Sequence, residues 1–502
     1  MKNIKLKVTL FLSLILATSA CSDVDYGDTN VNPYAAQTGE PDALLRGAIV
    51  NYFDATGRDY LTRPTLYVQY LSQTQYTDEQ RYNEAPADWS SYYTLTLESL
   101  KQVANTTEDL RGTTENMNAT AEILSVLVWK RVTDTFGDIP YFEALQTPAI
   151  LNPAFTPQEE IYTDLIERAK AARDMFTESS TSFTLDPSTD IIYDGDIDMW
   201  RKFANSLILG LTIQLSNQYP SAGGYAATEF SAALNNPYGV LESTSEDAVF
   251  TPDVSGGVVN PYSQLRVADY RLSQELTDAL KGNDDSSLNP TSNRTLDERL
   301  YIFSDTPSGD GLPYGYATYS SYTDASHIQN WIRLGYSPAP IYTSSYTYLN
   351  RAEAAALGWT SEDAEAMLSA GIQASFDYWE DYQQVAVDND DTFSSEDVIE
   401  LNADDYIAAR IVDATTVGIE QVIGEEKWIS LFLSGFDAWA EQRRTGYPEL
   451  TPSSAPFNNG TIPERLVYPT ESSSVNTANY DVGVSGLSPA TDLNSSSVWW
   501  NQ

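Results

Sequence analysis

Apolar residues recur at helical spacing along most of this chain, and strand-like runs are few and short. That pattern restricts the fold more than any other feature, because a stripe of period 3.6 buries only when it is wound as a helix. The segment TPQEEIYTDLIERAKAARDMF shows it best. Thr156 reads as an N-cap, Pro157 as the first helical residue and Glu159 as the partner in a capping box. Ile161, Leu165, Ala169, Ala172 and Phe176 then share one face. WRKFANSLILGLTIQLSNQ aligns Trp200, Phe203, Leu207 and Leu211, and SEDAEAMLSAGIQASFDYWEDY aligns Ala364, Leu368, Ile372, Phe376 and Trp379. LYVQYLSQTQY, AEILSVLVWKRV and GEEKWISLFLSGFDAWAEQRR read as three further helices. The sequence therefore predicts a mostly α protein. Long stretches rich in Gly, Pro, Ser, Asn and Tyr interrupt it, at roughly 221–262, 283–346 and 445–502. Loops of that length in a compact domain point to function.

The N-terminus is of another kind. Lys2, Lys5 and Lys7 precede a short apolar run, Val8 to Ala17, and small residues lead to Cys21. Residues 1–20 read as a secretory signal, too short for a membrane span. Cys21, the only cysteine, reads as the lipidated first residue of the mature protein. Such an anchor needs several acyl chains to hold. Residues 21–40 then form an acidic tether, and 41–502 a single ligand-binding domain. With its thiol lipidated, the chain has no disulfide, no thiolate nucleophile and no cysteine metal site. His327 is the only histidine, which removes most zinc enzymes.

Acids outnumber Lys and Arg by 71 to 28, a net charge of −43. Nucleic acid is excluded as a partner, because its binding relies on cationic neutralisation of phosphates. The membrane is met through the lipid alone. The same surface disfavours strongly anionic glycans and favours a neutral glucan or similar polymer.

Several motifs resemble the SusD/RagB family, in its SusD-like outer-membrane lipoprotein branch. They are TDTFGDIPYFEAL (133–145), IIYDGDIDMWRKFANSLIL (191–209), DYRLSQELTDAL with LDERLYIF, RAEAAALGW with GIQASFDYW, KWISLFLSGFDAWAEQRRTGYPEL (427–450), IPERLVYPTESSSVN (462–476) and the closing SSSVWWNQ. Their order spans some 450 residues. Two positions depart from the family pattern: Glu298 stands where relatives carry Pro, and LILGLTIQLSN lacks arginines often found there. The resemblance implies a scaffold of tetratricopeptide-like helix pairs with long irregular loops carrying the ligand. It implies a lipid-anchored protein on the extracellular side of an outer membrane. There it would act as a lid on a SusC-like TonB-dependent transporter, delivering glycan, or peptide as the alternative cargo. SDVD behind Cys21 resembles the acidic export signal of such lipoproteins.

Glycan recognition needs aromatic faces flanked by polar groups. Two stretches offer this: QYTDEQRYNEAPADWSSYY (75–93) and PYGYATYSSYTDASHIQNWIRLGY (313–336). The candidate ligand residues are Trp331, Trp89, Tyr316, Tyr319, Tyr322, Tyr76, Tyr82, Asn330, Arg333 and Asp324. His327 reads as a polar neighbour. FGDIPY reads as structural, with Gly137 in a left-handed C-cap. Arg443 and Arg444 of RRTGYP read as complements of a helix C-terminus rather than an anion site. Trp428, Trp439, Trp499 and Trp500 are assigned to packing or to the transporter interface. No catalytic residue and no cofactor is expected. NDD (283–285) and DNDD (388–391) are possible Ca²⁺ ligands that match no EF-hand, and solvated turns fit them better. A secreted glycoside hydrolase would need a carboxylate pair about 5–10 Å apart, and no hydrolase motif points to one.

Overall fold

The computed structural model describes residues 40–502 except 55–57, 108, 284 and 390–392. The signal segment, Cys21 and the tether up to residue 39 lie outside the described residues. So do Asp284, Asp390 and Asp391 of the two acidic turns.

Helices dominate. α1 spans Pro41–Asp54 and α2 Arg58–Tyr67. A more widely wound turn, Tyr92–Leu97, runs into α3, Glu98–Ala104. Then come α4 (Glu115–Phe136), α5 (Gln158–Met175), α6 (Ile197–Ile213), α7 (Tyr225–Leu234), α8 (Gln274–Lys281) and the single turn α9 (Leu300–Phe303). The second half carries α10 (Ser344–Ala356), α11 (Ala364–Tyr382), α12 (Gln384–Asn389), α13 (Asp404–Val417), α14 (Ile419–Ser430), α15 (Gly435–Thr445), α16 (Thr470–Val475) and α17 (Thr477–Ser485). Neighbours in sequence stack as tetratricopeptide-like pairs: α4 on α5, α5 on α6, α6 on α7, α10 on α11 and α13 on α14. Pro41–Gln502 forms one compact unit.

The expected stripes are the buried ones. Ile161, Leu165, Ala169 and Ala172 of α5 are fully buried, as are Trp200, Phe203, Leu207 and Leu211 of α6. The capping box, however, does not form. Thr156 lies in a strand and Pro157 is the N-cap residue, with no side-chain cap. Asp138 of FGDIPY takes that role instead, accepting from Gln158 N at 2.8 Å. Burial pushes its carboxyl up to about 6, against the pull of that bond. Gly137 ends α4 at φ +88°, ψ −129°, a positive-φ conformation other than αL.

Two predicted helices are broken, and tertiary hydrogen bonds explain both. LYVQYLSQTQY leaves the helix after Tyr67, turns at Gln69 (φ +58°) and becomes strand β1, Leu71–Gln73. Trp428 Nε1 donates to Val68 O at 2.9 Å, and Ser273 N donates to Tyr70 O at 3.0 Å. GEEKWISLFLSGFDAWAEQRR divides into α14 and α15 around Leu433, φ +73°. There Tyr262 Oη donates to Leu433 O at 3.0 Å. At Gly435 any side chain would meet Thr65 Oγ1 at 2.6 Å.

The other strands are short: β2 (Ile139–Pro140), β3 (Phe155–Thr156), β4 (Ala248–Phe250), β5 (Tyr270–Leu272) and β6 (Ala339–Tyr342). They form antiparallel pairs β1–β5, β2–β3 and β4–β6. Their work is to pin loops.

Charges are buried where α14 meets its neighbours. Arg410 of α13 pairs with Glu425 at 2.6 Å and Glu426 at 2.7 Å, and Arg299 pairs with Glu426 at 3.0 Å and Asp297 at 2.7 Å. Lys427 and Arg444 both pair with Glu353 and Glu441. Arg443 donates to Asp134 O and Glu464 O and lies 3.9 Å from the Trp439 ring. Both arginines of RRTGYP are thus engaged by the scaffold. Trp428, Trp439 and Trp500 are buried, and Trp499 is half-buried against Tyr219.

Candidate functional site

The β1–β5 ladder sets Ser72 opposite Arg271, and a loop leaves β1 while β5 runs into α8. The loop after β1 makes two left-handed turns, at Tyr76 (φ +55°) and Tyr82 (φ +68°). A non-glycine residue takes such a conformation only when its surroundings hold it. Gln80 does much of the holding. It is fully buried, and its Oε1 accepts from Gln73 N at 2.7 Å. Its amide donates to Tyr316 O at 3.1 Å and Tyr319 Oη at 3.3 Å. Thr77 Oγ1 adds a bond to Ala317 O at 3.2 Å. The two stretches singled out in the sequence are therefore joined.

A third loop, inside the long stretch 445–502 but without a candidate ligand residue from the sequence, completes the surface. Ser453 N donates to Tyr82 Oη at 2.9 Å, and Phe457 N donates to Arg81 O at 2.7 Å. Gly315 has φ +78°, and a Cβ there would sit 2.7 Å from Ser453 Cα. Only glycine lets these loops meet so closely. Beneath them both carboxylate oxygens of buried Glu275 accept from Tyr314 N at 3.1 Å. Burial pushes Glu275 up to about 7.

On this base stand exposed aromatics. Tyr76 is 65% exposed, Phe457 55% and Tyr316 46%. Tyr319 is half-buried, 5.8 Å from Tyr316 at 53°. Arg81 lies 4.1 Å from the Phe457 ring and pairs loosely with exposed Asp78 at 3.8 Å. Large rings on three cross-bonded loops offer apolar faces at little entropic cost on binding. Tyr322 extends the row, half-buried over the Arg271 guanidinium at 5.7 Å. Asp324 and Asn330 are exposed, and Arg333 donates to Asn330 Oδ1 at 3.2 Å. His327 faces Asp305 at 3.1 Å.

Three sequence candidates lie elsewhere. Trp331 is only 7% exposed and packs among Tyr382 at 5.9 Å and Phe393 at 6.3 Å. NWIR forms one turn in which Trp331 and Ile332 are buried. Tyr82 is fully buried, and its hydroxyl serves Ser453. Trp89 is half-buried against Phe136, Tyr93, Phe155 and Tyr468. It lines a separate cavity of about 590 Å³ with Tyr93, Pro140, Leu151 and Val475, which none of the exposed tyrosines reaches. The sequence missed Phe457, Arg271 and Glu275. For Phe457 a signal existed, an aromatic in the turn-forming run SSAPFNNG.

Among the described residues, no group of three or more acidic, His or Cys side chains could hold a metal, and no helix is long and apolar enough to cross a membrane.

The family model described as "Starch-binding associating with outer membrane" matches residues 33–469. The chain belongs to the SusD-like family. This is a family of nutrient- and carbohydrate-binding proteins associated with the outer membrane. Solved SusD-like structures share the fold. A chitin-binding SusD homologue from Flavobacterium johnsoniae is 24% identical, with TM-score 0.71, covering 92% of this chain and 97% of its own. A SusD homologue from Bacteroides fragilis is 22% identical, with TM-score 0.73, covering 93% and 100%. One from Parabacteroides distasonis is 21% identical, with TM-score 0.71, covering 92% and 97%. No curated protein matches the chain significantly.

Proposed function

We propose that this SusD-like protein binds a glycan on the tyrosine surface without cleaving it and hands it to a SusC-like TonB-dependent transporter. The observation that carries the reading is the set of exposed rings, Tyr76, Tyr316 and Phe457, on loops cross-bonded through Gln80 and Ser453. In this reading Cys21 is the lipid anchor on the extracellular side, and residues 22–40 are the tether that lets the protein open and close as a lid. Cys21→Ala then releases the protein from the membrane fraction, which immunoblotting of fractions reads.

Titration calorimetry of the full chain against polysaccharides and a peptide digest tests the cargo, with each mixture assayed for new reducing ends. The panel includes chito-oligosaccharides, because a structural relative is described as chitin-binding. Saturable binding of a glycan with no new reducing ends supports the reading. Binding of the digest alone would turn it to peptide capture. Cleavage would overturn its non-catalytic part.

A further inference from the structure

Three scaffold arginines, Arg299, Arg410 and Arg444, are matched by carboxylates. All three are buried, and their partners raise their pKa values well above the ordinary one despite burial. At the edge of the tyrosine surface the reverse holds. Arg271 and Arg333 make no ion pair among the described residues, and burial pulls both below the ordinary arginine value. Arg443 shares that direction, but Trp439 O, Asp134 O and Glu464 O fill its fork.

Arg271 is only 7% exposed, yet its Nε has no hydrogen-bond partner. Its Nη1 donates to Val267 O at 2.9 Å and Tyr270 O at 3.0 Å, and Tyr322 covers the guanidinium. Arg333 is half-buried and donates to Ile328 O at 3.2 Å and Asn330 Oδ1 at 3.2 Å. The carboxylate of Asp305 acts on both, and it is engaged. It accepts from His327 N at 2.9 Å and faces His327 Nδ1 at 3.1 Å. Burial, then the charge of Arg271, hold His327 below its ordinary value against Asp305. Asp269, next along, is bound by Gln75 and Arg266. In a chain of net charge −43, Arg271 and Arg333, which both act on His327, are two guanidinium groups without an ion pair among the described residues.

We propose that Arg271 and Arg333, beside Tyr322, form an anion-reading subsite, so that the preferred ligand is a polysaccharide bearing carboxylate or sulfate groups rather than a neutral glucan. This rests on the glycan-binding reading above. A guanidinium fork matches such groups geometrically. The overall acidity acts on approach and fades over about 8 Å at physiological salt, whereas the arginines act at contact.

The test is calorimetry of the full chain with three probes: oligogalacturonate, a sulfated galactan oligomer and a maltooligosaccharide. It is repeated with Arg333→Gln and, after a melting check, Arg271→Gln. A charge-assisted bond of about 1.5–3 kcal/mol corresponds to a loss of roughly tenfold or more in affinity. That loss is expected for a charged probe with Arg333→Gln. Response of oligogalacturonate alone assigns a carboxylate, and of the galactan alone a sulfate. If only maltooligosaccharide binds, or a charged probe binds both variants as it binds the parent, the subsite is overturned while glycan binding stands. If none of the probes binds, nor any glycan of the wider panel, the glycan reading falls and the subsite with it.

Discussion

Arg410 and Arg333 carry the same charge in opposite circumstances. Arg410 faces α14 and is held by Glu425, Glu426 and Asp413. Arg333, at the edge of the loop surface, has only a backbone carbonyl and an asparagine. The contrast extends to rings. Trp428 and Trp439 give their indole N–H groups to Val68 O and Pro463 O inside the scaffold. Tyr76 and Tyr316 are exposed on loops cross-bonded through Gln80 and Ser453. A scaffold residue is satisfied by its own chain. A binding surface keeps its anchors rigid and its tips unsatisfied, which is what a ligand needs in order to gain free energy on contact.

Breaking the scaffold gives the largest effect. Glu426→Ala removes the carboxylate that Arg299 and Arg410 share, leaving Arg299 with Asp297 and Arg410 with Glu425 and Asp413, and removing one member of a buried ion-pair cluster costs up to about 3–5 kcal/mol. Denaturant unfolding reads that loss. Trp331 sharpens the boundary between the two regions. As a core ring, Trp331→Ala costs about 3–5 kcal/mol of stability, and at temperatures where the variant is folded, glycan affinity changes less than stability does. A surface anchor behaves the other way. Tyr316→Ala leaves stability within about 0.5–1 kcal/mol and lowers glycan affinity by more than about 1 kcal/mol, read by melting and calorimetry on the same sample.

A further effect within the scaffold is the pH response of the buried acids. Burial raises Glu275 from its ordinary 4.5 to about 7, and Asp247 from 3.8 to about 7. The folded state then binds these protons more tightly than the unfolded state. The contribution of these two groups to stability is greatest below their ordinary values and is lost as pH rises towards about 7. Glu275→Gln removes its share of that decline, which melts across the range measure.

The sequence told more about the scaffold than about the site, for a physical reason. Helical stripes such as Ile161–Phe176 are local, so periodicity exposes them. The break between α14 and α15 is not local; it follows from Tyr262 and Thr65, distant in sequence. The same limit governs the site. Composition marked both loop stretches, and the structure joins them through Gln80. Yet whether a ring faces water or core depends on partners elsewhere. Trp331 turns inward to Tyr382 and Phe393, and Tyr82 to Ser453, while Phe457 emerges from a loop far along the chain.

The most direct measurement is a crystal structure of the protein with the tightest-binding glycan of the panel. The account expects sugar rings against Tyr76 and Tyr316, within reach of Phe457 and Tyr322. Sugar confined to the Trp89 cavity, with the tyrosine surface bare, would contradict it.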